Sequence, residues 1–226
     1  MDGVIRPNLN VRQERFWLQA RLLSPVFDLF RDLPALSRHL FDALGPHYNL
    51  RLTDMRFETG AGSLGEVSLR LLWPNLAEVR IFLDRVEIES GYPQFLRFEE
   101  KDLVFDVLRI VAEYVPDTGF RAYSVTQEVH GSLSGGSRQD FLARFACSIP
   151  EGLGPALGAG IVFYFGAEAD HLAASVTLDF SRIVEGGVFV QSVVLYDASR
   201  VAAGDLQAVS FARFESLIDQ LGLARQ

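Results

Sequence analysis

The hydrophobic periodicities of this chain run through one series twice. Residues 13–115 read as strand, helix, three strands, helix, and residues 119–226 read the same way about 106 to 109 positions later. Strand-rich units of this kind bury one face of a sheet against helices, so the expected class is α+β. The expectation is two internally duplicated β-α-β-β-β-α units, with mostly antiparallel sheet packed against helices in one pseudo-two-fold body. Residues 1–12, polar with Pro7 and two Asn, are expected to form an arm.

In the first unit, residues 15–24 alternate with Phe16, Leu18, Ala20 and Leu22 on one face, and Pro25 closes the strand. Leu33, Leu36, Leu40 and Leu44 recur at helical spacing behind an Asp32 cap, and Gly45-Pro46 predicts the stop. Strands follow over about 48–59, 64–73 and 77–89, the last two marked by Leu69 and Leu71, then Val79, Ile81 and Leu83. A helix is expected over 99–115, with Leu108 and Val111 on its apolar face.

The second unit opens on a strand near 120–133 and a short helix at 138–147. A glycine-rich loop leads to strands at about 159–167, 172–182 and 187–199. A terminal helix capped by Asp205 or Ser210 presents Phe214 and Leu217. Aligning the units sets Trp17 near Tyr123, Leu69 near Leu178 and Leu108 near Phe214. Alternation also places Val162, Phe163, Val176, Leu178, Val190 and Val194 in the core; Phe163 requires both strand faces to be covered, because it adjoins Val162.

Composition narrows the function classes. Hydrophobic residues make up 49 % of 226, including 18 Phe, which is enough for a sizeable core. No apolar run reaches the roughly 20 residues that span a bilayer, and the N-terminus lacks an apolar signal region. A soluble, cytoplasmic protein is expected, and the single Cys147 agrees with a reducing compartment. Net charge is −8, with 14 basic and 17 acidic residues in the first 113 and 7 and 12 in the rest. Without a basic stripe, nucleic acid is not expected as the primary partner. Lys101 is the only lysine among 21 basic residues, an arginine bias typical of GC-rich bacterial genomes. Its neighbours Glu99, Glu100 and Asp102 raise an ammonium pKa, the wrong direction for an amine nucleophile.

Motifs for chemistry fail on context. Gly60-Ala61-Gly62-Ser63-Leu64-Gly65 has the letters of a dinucleotide loop, but an alternating strand follows where a phosphate-holding helix is required, so a hairpin loop is expected. There is no P-loop, no serine elbow and no paired-histidine or paired-cysteine spacing. Cys147 reads as a small buried hydrophobe, and the acidic pairs Glu99-Glu100 and Glu168 with Asp170 read as solvated surface. Of His39, His47, His130 and His171, His130 is the most interesting, because it has no histidine counterpart in the first unit.

The leading expectation is therefore a protein–protein interaction or assembly module, without metal, nucleotide or covalent cofactor. Its contact candidates are Phe16 and Trp17 near the arm, and Phe211 and Phe214 on the terminal helix. Phe211 lies off that helix's apolar stripe and is expected to be exposed. The alternative is a small-molecule-binding protein or enzyme. In outline the repeated unit is similar to double hot-dog folds, and the resemblance implies a site between the halves, sought at His130, Gly154, Gly158 and Gly160. A closed apolar pocket receiving His130 would favour the enzyme; a space between sheet and helices filled with Phe and Leu would favour the binding module.

Overall fold

The computed structural model describes residues 6–59, 64–100, 102–115, 119–145 and 160–225, the side chains of 64 and 97–100 excepted. Its described residues form an α+β fold with one sheet of ten strands and four α-helices. The strands are β1 (Asn8–Leu22), β2 (Met55–Glu58), β3 (Ser68–Trp73), β4 (Ala77–Phe82) and β5 (Arg85–Ser90), then β6 (Phe120–Ser134), β7 (Ile161–Phe165), β8 (His171–Phe180), β9 (Val188–Asp197) and β10 (Ala224–Arg225). The helices are α1 (Leu33–Tyr48), α2 (Leu103–Tyr114), α3 (Arg138–Ala143) and α4 (Ala203–Gln220).

The order across the sheet is β2-β3-β4-β5-β1-β6-β9-β8-β7, antiparallel throughout, with β10 adding a short parallel pair to β1. The two 15-residue strands β1 and β6 form the central seam. Each sequence half fans outward from its own long strand. The halves differ in detail: four strands lie between α1 and α2 but three between α3 and α4, and α1 has 16 residues against 6 for α3.

All four helices pack on one face of the sheet. Phe16, Leu18 and Ala20 of β1 meet Leu36, Leu40 and Leu44 of α1, and Val107, Leu108 and Val111 of α2, in one core. A second core joins Val129, Val176, Leu178 and Val190 to Phe141 and Leu142 of α3 and to Phe214 and Ile218 of α4. Of the expected core residues, Leu69, Leu71, Ile81, Leu108, Val111, Val176, Leu178, Val190, Val194 and Phe214 are buried. Phe163 and Leu217 are half-buried at the margin of the second core. Val162 is 46 % exposed, because β7 is an edge strand and Val162 points to the face that carries no helix.

Several boundaries depart from the sequence reading. The first strand begins at Asn8, so residues 8–11 are already paired with β6. α1 continues through Gly45-Pro46, since a proline in the last turn forfeits one hydrogen bond only; Asn49 at φ 53° ends the helix instead. The segment 77–89 is a hairpin, β4 and β5, turning at Leu83-Asp84. α2 begins at Leu103, where Asp102 accepts a hydrogen bond from the Phe105 N–H at 2.9 Å. The cap position of α4 is Ala202, which makes no side-chain cap bond, in place of Asp205 or Ser210.

A register shift in β1 between Val11 and Gln13 sits opposite Gly131. A Cβ at Gly131 would lie 2.7 Å from the Asn10 carbonyl oxygen, and one at Gly187 would lie 2.6 Å from the Gly131 carbonyl oxygen. Only glycine lets the three backbones approach there.

Candidate functional site

The helix-free face of the sheet holds the most site-like surface. Strand alternation sends Arg15, Trp17, Gln19 and Arg21 of β1 to this face, against Glu128, Thr126 and Ser124 of β6. At the seam Arg15, Trp17, Ser124, Thr126 and Glu128 line a concavity of about 440 Å³, completed by Glu89, Gln191 and Val193. Trp17 is 41 % exposed within it. Arg15 pairs with Glu89 and reaches Glu128 at 3.5 Å, while Gln191 Nε2 donates to Glu128 at 3.2 Å. A planar, already oriented guanidinium thus stands beside an exposed indole.

The two wings of this face differ in charge. Over β2 to β5 the arginines are held by carboxylates: Arg70 by Glu58 at 3.1 Å and Glu78 at 2.8 Å, and Arg85 by Glu87 at 2.7 Å and Asp84 at 2.9 Å. Arg85 also lies 3.8 Å over the Phe82 ring. These two cations are locally neutralised. Over β6 to β9 the face carries Ser124, Thr126, Val193, Leu195, Ser175, Thr177, Val162 and Tyr164. This wing mixes apolar and hydroxyl side chains with Glu128, Gln191 and Asp179, and Tyr164 is 82 % exposed.

The sequence-derived contact candidates separate. Trp17 is on the open face. Phe16, its neighbour, is fully buried on the other face, and Phe214 is buried in the second core. Neither reaches a partner in the folded chain. Phe211 is half-buried rather than exposed, because it covers Phe16. Trp17 and Tyr123 point to opposite faces, so their alignment as equivalents is one residue out of phase.

His130 lies on the open face but is nearly buried, its ring 4.7 Å from that of Phe189. Its Nδ1 is 2.9 Å from Ser181 Oγ. Burial pushes the imidazole below its ordinary value; Glu128 opposes that shift and Arg15 assists it. Which of the two groups donates in this contact is set by the imidazole tautomer. Ser181 Oγ also accepts the Val184 N–H at 2.8 Å and the Ile183 N–H at 3.2 Å. A hydroxyl engaged in this way anchors the β8–β9 turn and is not free to attack. Gly160 precedes β7, three strands out from β6, where a Cβ would be 3.1 Å from the Asp179 carboxylate. Gly154, Gly158 and Cys147 lie outside the described residues, as do Lys101 and Gly60 to Ser63.

Sequence reasoning missed a polar cluster on the helix side. Glu168, Asp170 and His171 bring ligand-type atoms within 4.8 Å of one another. Arg213 of α4 fills the space: its Nη1 is 2.8 Å from Asp170 Oδ2, and its Nη2 is 3.3 Å from Glu168 Oε2 and 3.5 Å from His171 Nε2. His171 is fully buried, with Nδ1 2.8 Å from Asp170 Oδ1. The hydrogen bond to His171, then those of Arg213, hold the Asp170 carboxyl below its usual range. With a guanidinium already neutralising both carboxylates, a metal ion would have to displace it. The cluster clamps the β7–β8 turn to α4. Beside it, a cavity of about 340 Å³ is lined by Phe165, Ser192, Ser216, Leu217 and Gln220. Among the described residues the Tyr196 hydroxyl is buried without a partner, and burial pushes its pKa up to about 12.

No family model, curated protein or solved structure matches this chain. Among the described residues, no helix is long and apolar enough to cross a membrane.

Proposed function

We propose that this chain is a bacterial cytosolic protein-interaction module that works without a cofactor and binds another protein on the open face of its sheet, around Trp17. The observation that carries the reading is where the apolar residues go. The space between sheet and helices, where an enzyme of double hot-dog outline would hold substrate, is filled by Leu18, Leu40, Leu71, Ile81, Leu108 and their neighbours. His130 does not point into it. Exposed Trp17, Val162, Tyr164 and Leu195 stand instead on the helix-free side, beside arginines paired with carboxylates, which suits a protein better than an anionic polymer.

The same reading includes an origin by tandem duplication. The fan of strands from the β1–β6 seam supports it, and Leu18 and Val125, directly opposed across that seam, would lie on the local two-fold. The alternative, a small-molecule site, draws support from the cavity beside Arg213 and from the buried Tyr196 hydroxyl, which has no partner among the described residues.

The test is co-purification of the tagged full chain from its native host, with mass spectrometry of bound proteins and small molecules, beside a Trp17→Ala variant. A protein retained by the wild type and lost from the variant is the expected result. Retention unchanged by the variant, or a bound small molecule that the protein turns over, would overturn the proposal.

A further inference from the structure

The two edges of the sheet are built differently. β2 ends one side with Met-Arg-Phe-Glu, and its Arg56 and Glu58 give that edge charge of both signs. β7 ends the other with Ile-Val-Phe-Tyr-Phe, five apolar residues without a charge, bounded by Gly160 and Gly166. Among the described residues no strand pairs with its outer side. In a chain of net charge −8, an uncharged aromatic edge is a deliberate exception to the charges that normally block edge pairing.

We propose that β7 pairs antiparallel with β7 of a second copy of this chain, about a two-fold axis that passes through Phe163. The segment is self-complementary in that register. Val162 of one copy stands opposite Tyr164 of the other on the open face, a β-branched residue against an aromatic. Ile161 stands opposite Phe165 on the helix face, with Phe163 facing itself at the centre. Existing register sets these faces, since Ile161, Phe163 and Phe165 pair with Leu178, Val176 and Ala174 of β8. Phe163 is only half covered in the single chain, touching Phe145 edge-on, so pairing extends the second core across the axis. No like charges meet within the paired strands, whereas a charged partner strand would find no counter-charge there. The axis is perpendicular to the sheet, so both sets of helices lie on one side and both open faces on the other. This contact is separate from the partner surface at Trp17.

The experiment is light scattering of the full chain from about 1 to about 100 μM, the span of ordinary reversible dimers. Three proteins are compared: wild type, Val162→Lys with Tyr164→Lys, and Val162→Lys with Tyr164→Glu. Both positions face solvent in the single chain. Wild type is expected at twice the chain mass. The Lys/Lys variant sets like charges opposite each other and is expected at single mass. The Lys/Glu variant sets opposite charges together and is expected to recover the dimer. Amide hydrogen exchange in residues 161–165 of the wild type should slow as concentration rises. A wild type that is monomeric throughout, a dimer unaffected by the Lys/Lys change, or a Lys/Glu variant that stays monomeric would each overturn the proposal. Trp17→Ala should leave the mass unchanged, which separates this outcome from failure of the partner reading.

Discussion

The ring of Phe211 lies flat on that of Phe16, with centroids 5.5 Å apart and planes 6° from parallel. The last helix of the chain thereby covers the middle of its first long strand, tying the second half to the first. Phe211→Ala removes this stack and opens a partly solvated gap over a fully buried ring. It should cost about 2 kcal/mol in denaturant unfolding, less than the 3–5 of a fully enclosed Phe. A cost below about 0.5 kcal/mol would place Phe211 outside the core.

Leu108 is fully buried between the sheet and the other helices. Leu108→Ala should cost about 2–5 kcal/mol, because rigid neighbours on several sides cannot close the cavity. Urea denaturation measures it, and a change within about 0.5 kcal/mol would contradict the packing described.

The two tryptophans report opposite environments. Trp73 is buried and donates its Nε1 hydrogen to the Tyr48 carbonyl at 2.8 Å, while Trp17 is open to solvent. In a Trp73→Phe background, emission should be red-shifted and readily quenched by iodide; in a Trp17→Phe background, it should be blue-shifted and protected. Equal quenching of both would refute the exposure of Trp17.

His130 makes the fold sensitive to acid in a defined direction. Its folded pKa is below the ordinary 6.5, chiefly through burial. Above that value both states are neutral at this site, and it adds no pH dependence. As pH falls below it, the unfolded chain takes up a proton that the folded chain refuses, and stability is lost until the folded pKa is passed. His130→Gln should therefore lose less stability than wild type between about pH 7.5 and pH 5. Parallel stability curves for the two proteins would show that this histidine is not the source.

Strand alternation made most of the sheet legible. Leu69, Leu71, Val176 and Leu178 announce their faces by period two, and each is buried. The β4–β5 turn was also written there: apolar positions run odd through Val79, Ile81 and Leu83, then even at Val86 and Ile88, and that change of phase marks the reversal. What alternation does not encode is which strand stands at an edge. Ile161 to Phe165 reads as a strand covered on both faces, because nothing local tells a central apolar run from an uncovered one. The Arg213 clamp was illegible for a similar reason. Its acids and histidine are adjacent in sequence, but the cation that fills their space arrives from a helix some forty residues away. Trp17 and Phe16 differ only in parity: Phe16 shares the apolar face of Leu18, Ala20 and Leu22, and the same alternation that buries it turns Trp17 outward.

The most direct test of the partner-binding claim is site-specific photo-crosslinking in the native host. A photoreactive side chain is placed at Trp17 or Leu195 on the open face, or at Arg38 on α1, whose side chain is 84 % exposed. The same protein partner should be captured from positions 17 and 195 and not from 38. Capture from position 38 alone, or from none of the three beside a measured turnover of a small molecule, would contradict the account.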